Sequence, residues 1–192
     1  MKSEEDIIRV IQEDVWIMDI LKAVSSLQLP DWWVCAGFVR SKIWDALHGF
    51  EDRTPLPDID VIYFDPSDPF EQVEKQFEKR LRDMRPGLPW SVKNQARMHV
   101  VNRIPPYSSA VDAMSKFPET VTALGIKLDE HGKVALAAPH GIHDLIRMRV
   151  RPTPYFSETE ERIRIYEERI VKKNWKRMWP RIAIESSNRR KF

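Results

Sequence analysis

A single cysteine, Cys35, stands in a chain of 192 residues. That excludes a disulfide framework and a cysteine-built zinc cluster, and it fits a reducing compartment. No apolar run approaches the ~18 residues that a membrane span requires. The N-terminus opens on Lys2, Ser3, Glu4, Glu5 and Asp6 rather than on a basic stretch followed by an apolar one, so a signal peptide is not expected. Internal repeats, low-complexity tracts and a composition that would mark a linker are also lacking. The expectation is a cytoplasmic globular protein without a membrane segment. With 42% hydrophobic and 31% charged residues the composition is that of a folded domain, and the length suffices for a core without disulfides or a structural metal. Net charge is only +2, but residues 169–192 hold nine Lys or Arg against one acid, Glu185. A basic end of this kind either contacts phosphates or solubilises a terminus.

The pattern along the chain alternates helices and strands. Residues 3–26 read as one amphipathic helix, capped by Ser3, with acids in the first turn and Ile8, Ile11, Val15, Met18 and Leu21 at helical spacing. A short buried strand at 33–36 leads to a helix over 41–48. After a loop with two prolines, 59–64 is the clearest strand, β-branched and aromatic, closed by Asp65-Pro66. A charged helix follows over 69–84, then a strand at 90–94, a helical stretch over 95–102 and another over 108–117. Residues 122–128 and 133–137 form a hairpin around Glu130-His131-Gly132. Helices are expected over 140–150 and 158–173. This order predicts a single α/β (α+β) domain: a core over about 5–137, a helical C-terminal part over about 138–180 and a basic tail over 181–192.

Two segments carry chemistry. Ala36-Gly37-Phe38-Val39-Arg40 lies at a strand-to-helix junction, and Pro57-Asp58-Ile59-Asp60-Val61-Ile62 opens the next strand. Strand side chains alternate, so Asp58 and Asp60 project to one side. Two carboxylates placed together repel, and a hard cation such as Mg²⁺ or Mn²⁺ offsets that cost. Glycine at a helix start lets the backbone approach a phosphate, and the helix N-terminus favours an anion. Metal, acid pair and phosphate cradle together are what phosphoryl or nucleotidyl transfer requires.

Gly37, followed about twenty residues later by Asp58-Ile59-Asp60 and an apolar strand, resembles the polymerase-β-like nucleotidyltransferase superfamily. More closely, these two segments, with Trp90-Ser91-Val92-Lys93-Asn94-Gln95-Ala96-Arg97-Met98-His99 and Ala138-Pro139-His140-Gly141-Ile142-His143-Asp144-Leu145, resemble a family of bacterial nucleotidyltransferase-like proteins. The resemblance spans roughly residues 5–180. It implies the nucleotidyltransferase fold, a small mixed sheet flanked by helices with a C-terminal hairpin and helices. It further implies a nucleoside triphosphate donor and Asp58 and Asp60 as catalytic metal ligands. Two departures stand out. The superfamily places Gly-Gly or Gly-Ser at the helix start, where this chain has Gly37-Phe38. It also places a third carboxylate on the third strand, where this chain offers Ser91 and Lys93 to the site.

Other side chains have two readings. Arg40 in the first turn of a helix opposes the dipole, so it either meets an anion such as a triphosphate or pairs with Asp58 or Asp60. Lys93 is either a counter-ion over the acids or, with Arg97, a phosphate ligand, while Asn94 either reads a base or sugar or satisfies backbone groups. His140 and His143 have metal-binding spacing but no evident third ligand, which favours a structural role. The tryptophans are expected mostly in the core. The leading expectation is a metal-dependent nucleotidyltransferase, with Gly37, Phe38, Arg40, Lys93, Asn94 and Arg97 around the nucleotide. Its acceptor is a small molecule, a protein or an RNA. The alternatives are a catalytically impaired nucleotide- or RNA-binding module on the same fold, and a toxin-like transferase that modifies transfer RNA.

Overall fold

The computed structural model describes residues 1–185. The 3–26 segment forms two helices, α1 (Glu4–Gln12) and α2 (Val15–Ser25), rather than one. Ser3 caps the first as expected, accepting from the Asp6 amide. Asp14 breaks the run because its carboxylate accepts from the Ile17 amide and starts a new helix. The same carboxylate holds Lys42 at 2.7 Å and Arg53 at 3.1 Å, which fixes the kink to the rest of the domain. The break also changes the buried face. Ile7, Ile11, Ile17, Ile20, Leu21 and Val24 enter the core, whereas Val15 is 83% exposed.

Strand β1 (Trp33–Cys35) leads into α3 (Gly37–His48), which starts four residues earlier than its apolar spacing indicated. Strand β2 (Ile59–Tyr63), α4 (Glu71–Met84) and β3 (Trp90–Asn94) follow, and the β2-α4-β3 crossover makes β2 and β3 parallel. Helices α5 (Gln95–Asn102) and α6 (Ala110–Ser115) precede the hairpin β4 (Gly125–Leu128) and β5 (Val134–Ala137). The five strands form a mixed sheet in the order β3-β2-β1-β4-β5, with β1 antiparallel to both neighbours. The helix expected over 140–150 is confined to α7 (His143–Ile146). Met148 takes a left-handed φ of 54°, and Arg149–Val150 become strand β6. Helices α8 (Pro154–Ser157), α9 (Glu160–Lys173) and α10 (Trp175–Met178) follow, with β7 (Ala183–Ile184) paired to β6. No helix among the described residues is long and apolar enough to cross a membrane.

The two faces of the sheet differ. Val34, Ile59, Val61, Tyr63, Trp90, Val92 and Ile126 point into the main core, which also takes in Tyr166, Ile170, Trp175, Trp179 and Ile182 from the C-terminal helices and the turn after them. The opposite face carries a smaller cluster of Trp33, Cys35 and Ile62 under Ala110 and Met114 of α6. Gly125 makes that cover possible: a Cβ there would lie 3.1 Å from Met114 Sδ and 3.2 Å from Cys35 Cβ. Strand β3 ends the sheet, and its outward amides are met by carboxylates of α4. Val92 N–H donates to Glu78 at 3.2 Å and Asn94 N–H to Glu74 at 3.0 Å.

Candidate active site

Asp60 lies on the less covered face of the sheet, opposite Cys35 of β1 and beside Ser91 of β3. Asp58 sits just before the strand, and both acids line one cleft of about 680 Å³. Burial, and then repulsion from Asp58, push the Asp60 carboxyl up to about 6. A hydrogen bond with the Ser91 side chain and the charges of Arg169 and Lys173 act in the other direction. Ser91 thus stands beside Asp60 on the third strand, in the register anticipated for it. Among the described residues no cluster of three or more His, Cys, Asp or Glu is placed to hold a metal ion, so no third acid completes this pair. Cys35 is fully buried, and its thiol is pushed well up by burial and by the two acids, which leaves it an inert core group.

The strand-to-helix junction is tighter than its glycine indicates. Ala36, not Gly37, carries the unusual backbone, with φ 58° and ψ −123°, a region that is costly for any residue with a side chain. Gly37 lines the acid-bearing cleft as the first residue of α3. A Cβ on it would meet nothing closer than Arg40 Nη2 at 3.6 Å, so the packed protein itself does not demand glycine there. No side chain caps α3, and Ala36, Gly37 and Arg40 at its start line the cleft, where an uncapped helix start favours an anion.

Arg40 lines the same cleft, but it forms no ion pair with Asp58 or Asp60 and is anchored on aromatic rings instead. Its guanidinium lies 4.1 Å over Trp175 and 5.2 and 5.1 Å from the rings of Trp44 and Trp179, and Nη2 donates to Ser41 Oγ at 3.2 Å. Its Nε has no partner. Burial lowers the guanidinium to about 10, so it stays charged near neutrality. The tryptophan cage is itself pinned. Trp44 Nε1 donates to the Leu145 carbonyl at 3.1 Å and Trp179 Nε1 to Asp45 at 2.7 Å. Asp45 is buried and also accepts from the amide and hydroxyl of Thr54. Cation–π contact of a desolvated arginine stabilises such an arrangement by about 2 kcal/mol.

Four of the sequence-based candidates are engaged elsewhere. Phe38 is 2% exposed and packs against Trp16, so it belongs to the core rather than to a nucleotide. Asn94 is fully buried. Its oxygen accepts from the amides of Asp65 and Ala96, and its nitrogen donates to the carbonyls of Asp65 and Asp68. It caps α5 and clamps the turn after β2, with no hydrogen-bonding capacity left for a base. Arg97 grips the fully buried Glu74 through Nε at 3.0 Å and Nη2 at 2.9 Å, beside the sheet edge. Lys93 pairs with that same Glu74 at 3.3 Å and so is not the counter-ion of the acid pair; it borders an adjoining cleft. His140 and His143 are also separate, the first bonded to the Ser115 carbonyl at 2.7 Å and the second 64% exposed beside Asp144.

The cations facing Asp58 and Asp60 come instead from the end of α9. Arg169, Lys172 and Lys173 line the cleft. Arg169 is held by Glu119, which is fully buried. Arg169 Nε donates to Glu119 Oε1 at 2.6 Å, and the Thr122 hydroxyl donates to Oε2 at 2.7 Å. The excess of Lys and Arg over residues 169–192 was the only sequence signal for this group. Part of that basic run, residues 186–192, lies outside the described residues.

The sheet order and its flanking helices are those of the nucleotidyltransferase fold. A family model described as nucleotidyltransferase matches residues 22–184. The chain belongs to that family. It is also similar to a protein solved by NMR and described as revealing a CCA-adding enzyme head domain. The two are 37% identical, over 97% of this chain and 98% of that one, with a TM-score of 0.84. An apo CCA-adding enzyme matches at 18% identity and TM-score 0.55, over 95% of this chain and 43% of its own. A CCA-adding enzyme in complex with CTP matches at 18% identity and TM-score 0.54, over 92% and 42%. These two likenesses are of fold, and this chain spans less than half the length of either enzyme. Comparison with curated protein sequences gives no match.

Proposed function

We propose that the chain is a metal-dependent nucleotidyltransferase that uses a nucleoside triphosphate as donor. The observation that carries this reading is the single cleft in which Asp58 and Asp60 face the uncapped start of α3 and the cations Arg169, Lys172 and Lys173. The donor set fits Mg²⁺, which is commonly held by one or two carboxylates together with substrate phosphates. Asp60 also fits, since Ser91, Arg169 and Lys173 compensate its ionised form only in part against burial and the Asp58 charge. Asp58 and Asp60 would hold the ion, which when bound neutralises charge developing on the phosphates.

The first amides of α3, Arg40, Lys172 and Lys173 bind the phosphate oxygens. The acceptor oxygen bonds to the α-phosphorus as the α–β bridging bond breaks, and pyrophosphate leaves with the electron pair toward α9. The hydroxyl proton passes to the Asp60 carboxylate, which stands at the reacting centre. Arg169, fixed by Glu119, stabilises the charge on the transferring group without having to reorganise.

Two solved structures of the fold are CCA-adding enzymes in complex with ATP and with CTP, which makes these two the first donors to test. Thermal shift with each triphosphate, with and without Mg²⁺, is expected to show stabilisation that needs both, because a ligand bound only to the folded state raises Tm. Asp58→Asn with Asp60→Asn abolishes it, and Lys172→Gln with Lys173→Gln weakens it about tenfold or more. Equal stabilisation of the double aspartate variant and the parent would sink the reading.

A second reading is a nucleotide- or RNA-binding module without catalysis. It is favoured by Ser91 occupying the third-strand position beside Asp60 and by the lack of a third acid among the described residues. It predicts metal-dependent triphosphate binding with no release of pyrophosphate in the presence of any acceptor.

A further inference from the structure

A second cleft of about 490 Å³ adjoins the first, and Ala36, Asp60, Thr122 and Arg169 line both. Its charged lining is one-sided. Lys93, Lys116, Arg162 and Arg169 face it, and Asp60 is the one acid among its lining residues. The acids that hold the other cations, Glu74 for Lys93, Asp112 for Lys116, Glu158 for Arg162 and Glu119 for Arg169, do not line the cleft. These ion pairs fix the cationic heads at the cleft wall. Arg162 is further pinned, stacked 3.6 Å over Tyr155 and donating to its carbonyl at 3.1 Å. Between the cations the wall is aromatic and apolar, from Tyr107, Phe117 and Phe156 among others.

In-line displacement places the incoming oxygen opposite the departing pyrophosphate. With pyrophosphate on the side of Gly37, Lys172 and Lys173, the incoming oxygen approaches Asp60 from this second cleft. We propose that the second cleft is the acceptor site, and that the acceptor is a small hydroxyl-bearing phosphate monoester, its phosphate on Lys116 and Arg162 and its hydroxyl at Asp60. This assignment rests on the nucleotidyltransferase reading for its chemistry but not for its binding. A cavity of this size, lined from β2, α5, α8, α9 and the 116–122 segment, takes one small ligand. A doubly charged phosphate matches a guanidinium and an ammonium, which Arg162 and Lys116 present on the wall of this cleft.

The test is an NMR titration of the full chain with ribose 5-phosphate as probe and ribose as its neutral counterpart, without nucleotide or metal. Saturable amide shifts at Gln95, Lys116, Tyr155 and Arg162 are expected with the phosphate and not with ribose. Lys116→Gln and Arg162→Gln each weaken binding about tenfold or more, while the triphosphate and Mg²⁺ titration of the first cleft is unchanged. Shifts confined to Gly37, Lys172 and Lys173, equal response to ribose, or no saturable response would overturn the assignment. So would transfer of labelled nucleotide to an RNA 3′ hydroxyl but to no phosphate monoester. Loss of triphosphate binding with retained probe binding refutes the donor reading and leaves the second cleft standing as a phosphate-monoester site.

Discussion

Asp60 makes the metal-free protein less stable than it needs to be, and the sign and size of that effect follow from its surroundings. Its folded-state carboxyl titrates at about 6 against an ordinary 3.8. A carboxyl raised in the folded state binds its proton more tightly there than in the unfolded chain. Stability therefore rises as pH falls through about 6, and the gain is complete below 3.8. At full effect the difference corresponds to about 3 kcal/mol. Between about pH 7.5 and pH 5 the linkage relation gives about 1.4 kcal/mol, or roughly 3–5 °C in Tm for a chain of this size. Asp60→Asn is neutral throughout and lacks this component. In thermal unfolding with a chelator present, the variant is expected to be the more stable protein at pH 7.5 and to lose about half of that advantage at pH 5. Saturating Mg²⁺ reverses the ranking at pH 7.5, since the cation binds the ionised pair of the parent. Identical pH dependence of the parent and Asp60→Asn in chelator would refute the account of burial and repulsion.

Three further substitutions probe the framework of the site. Glu119→Gln removes the buried charge that anchors Arg169 and is expected to cost about 2–3 kcal/mol in chemical denaturation, below the range for a fully buried pair because Arg169 is partly solvated. Gly125→Ala forces a methyl against Met114 and Cys35 and is expected to destabilise by about 1–3 kcal/mol by the same measurement. Ala36→Gly relieves the strained φ and ψ before α3 and is expected to raise stability by about 1 kcal/mol; a loss of stability would show that the backbone there is not under strain.

The strands were legible because their side chains face different solvents. Val61 and Val92 enter a core while Asp60 and Ser91 do not, and that alternation is written in the local sequence. The break at Asp14 was obscured because apolar residues continue at helical spacing on both sides, and only the cap hydrogen bond decides it. Asp58 and Asp60 stood out through proximity along one strand. Arg169 and Glu119 lie fifty positions apart and meet only in the folded chain, so local pattern carried no trace of their pairing. Asn94 shows the converse difficulty. A polar residue after a strand has the same appearance whether it reads a ligand or closes a turn, and only the count of its satisfied hydrogen bonds separates the two.

Glu74 and Glu78 bear on how this protein behaves at high concentration. A terminal strand with free amides is a template on which another chain can extend the sheet, and such growth is a common route to aggregation. Here the outward amides of Val92 and Asn94 are already spent on those two carboxylates, and at the far border α1 packs against β5. Replacing Glu74 and Glu78 by apolar residues would open one border of the sheet to intermolecular strand pairing, a hazard unrelated to whatever the cleft binds.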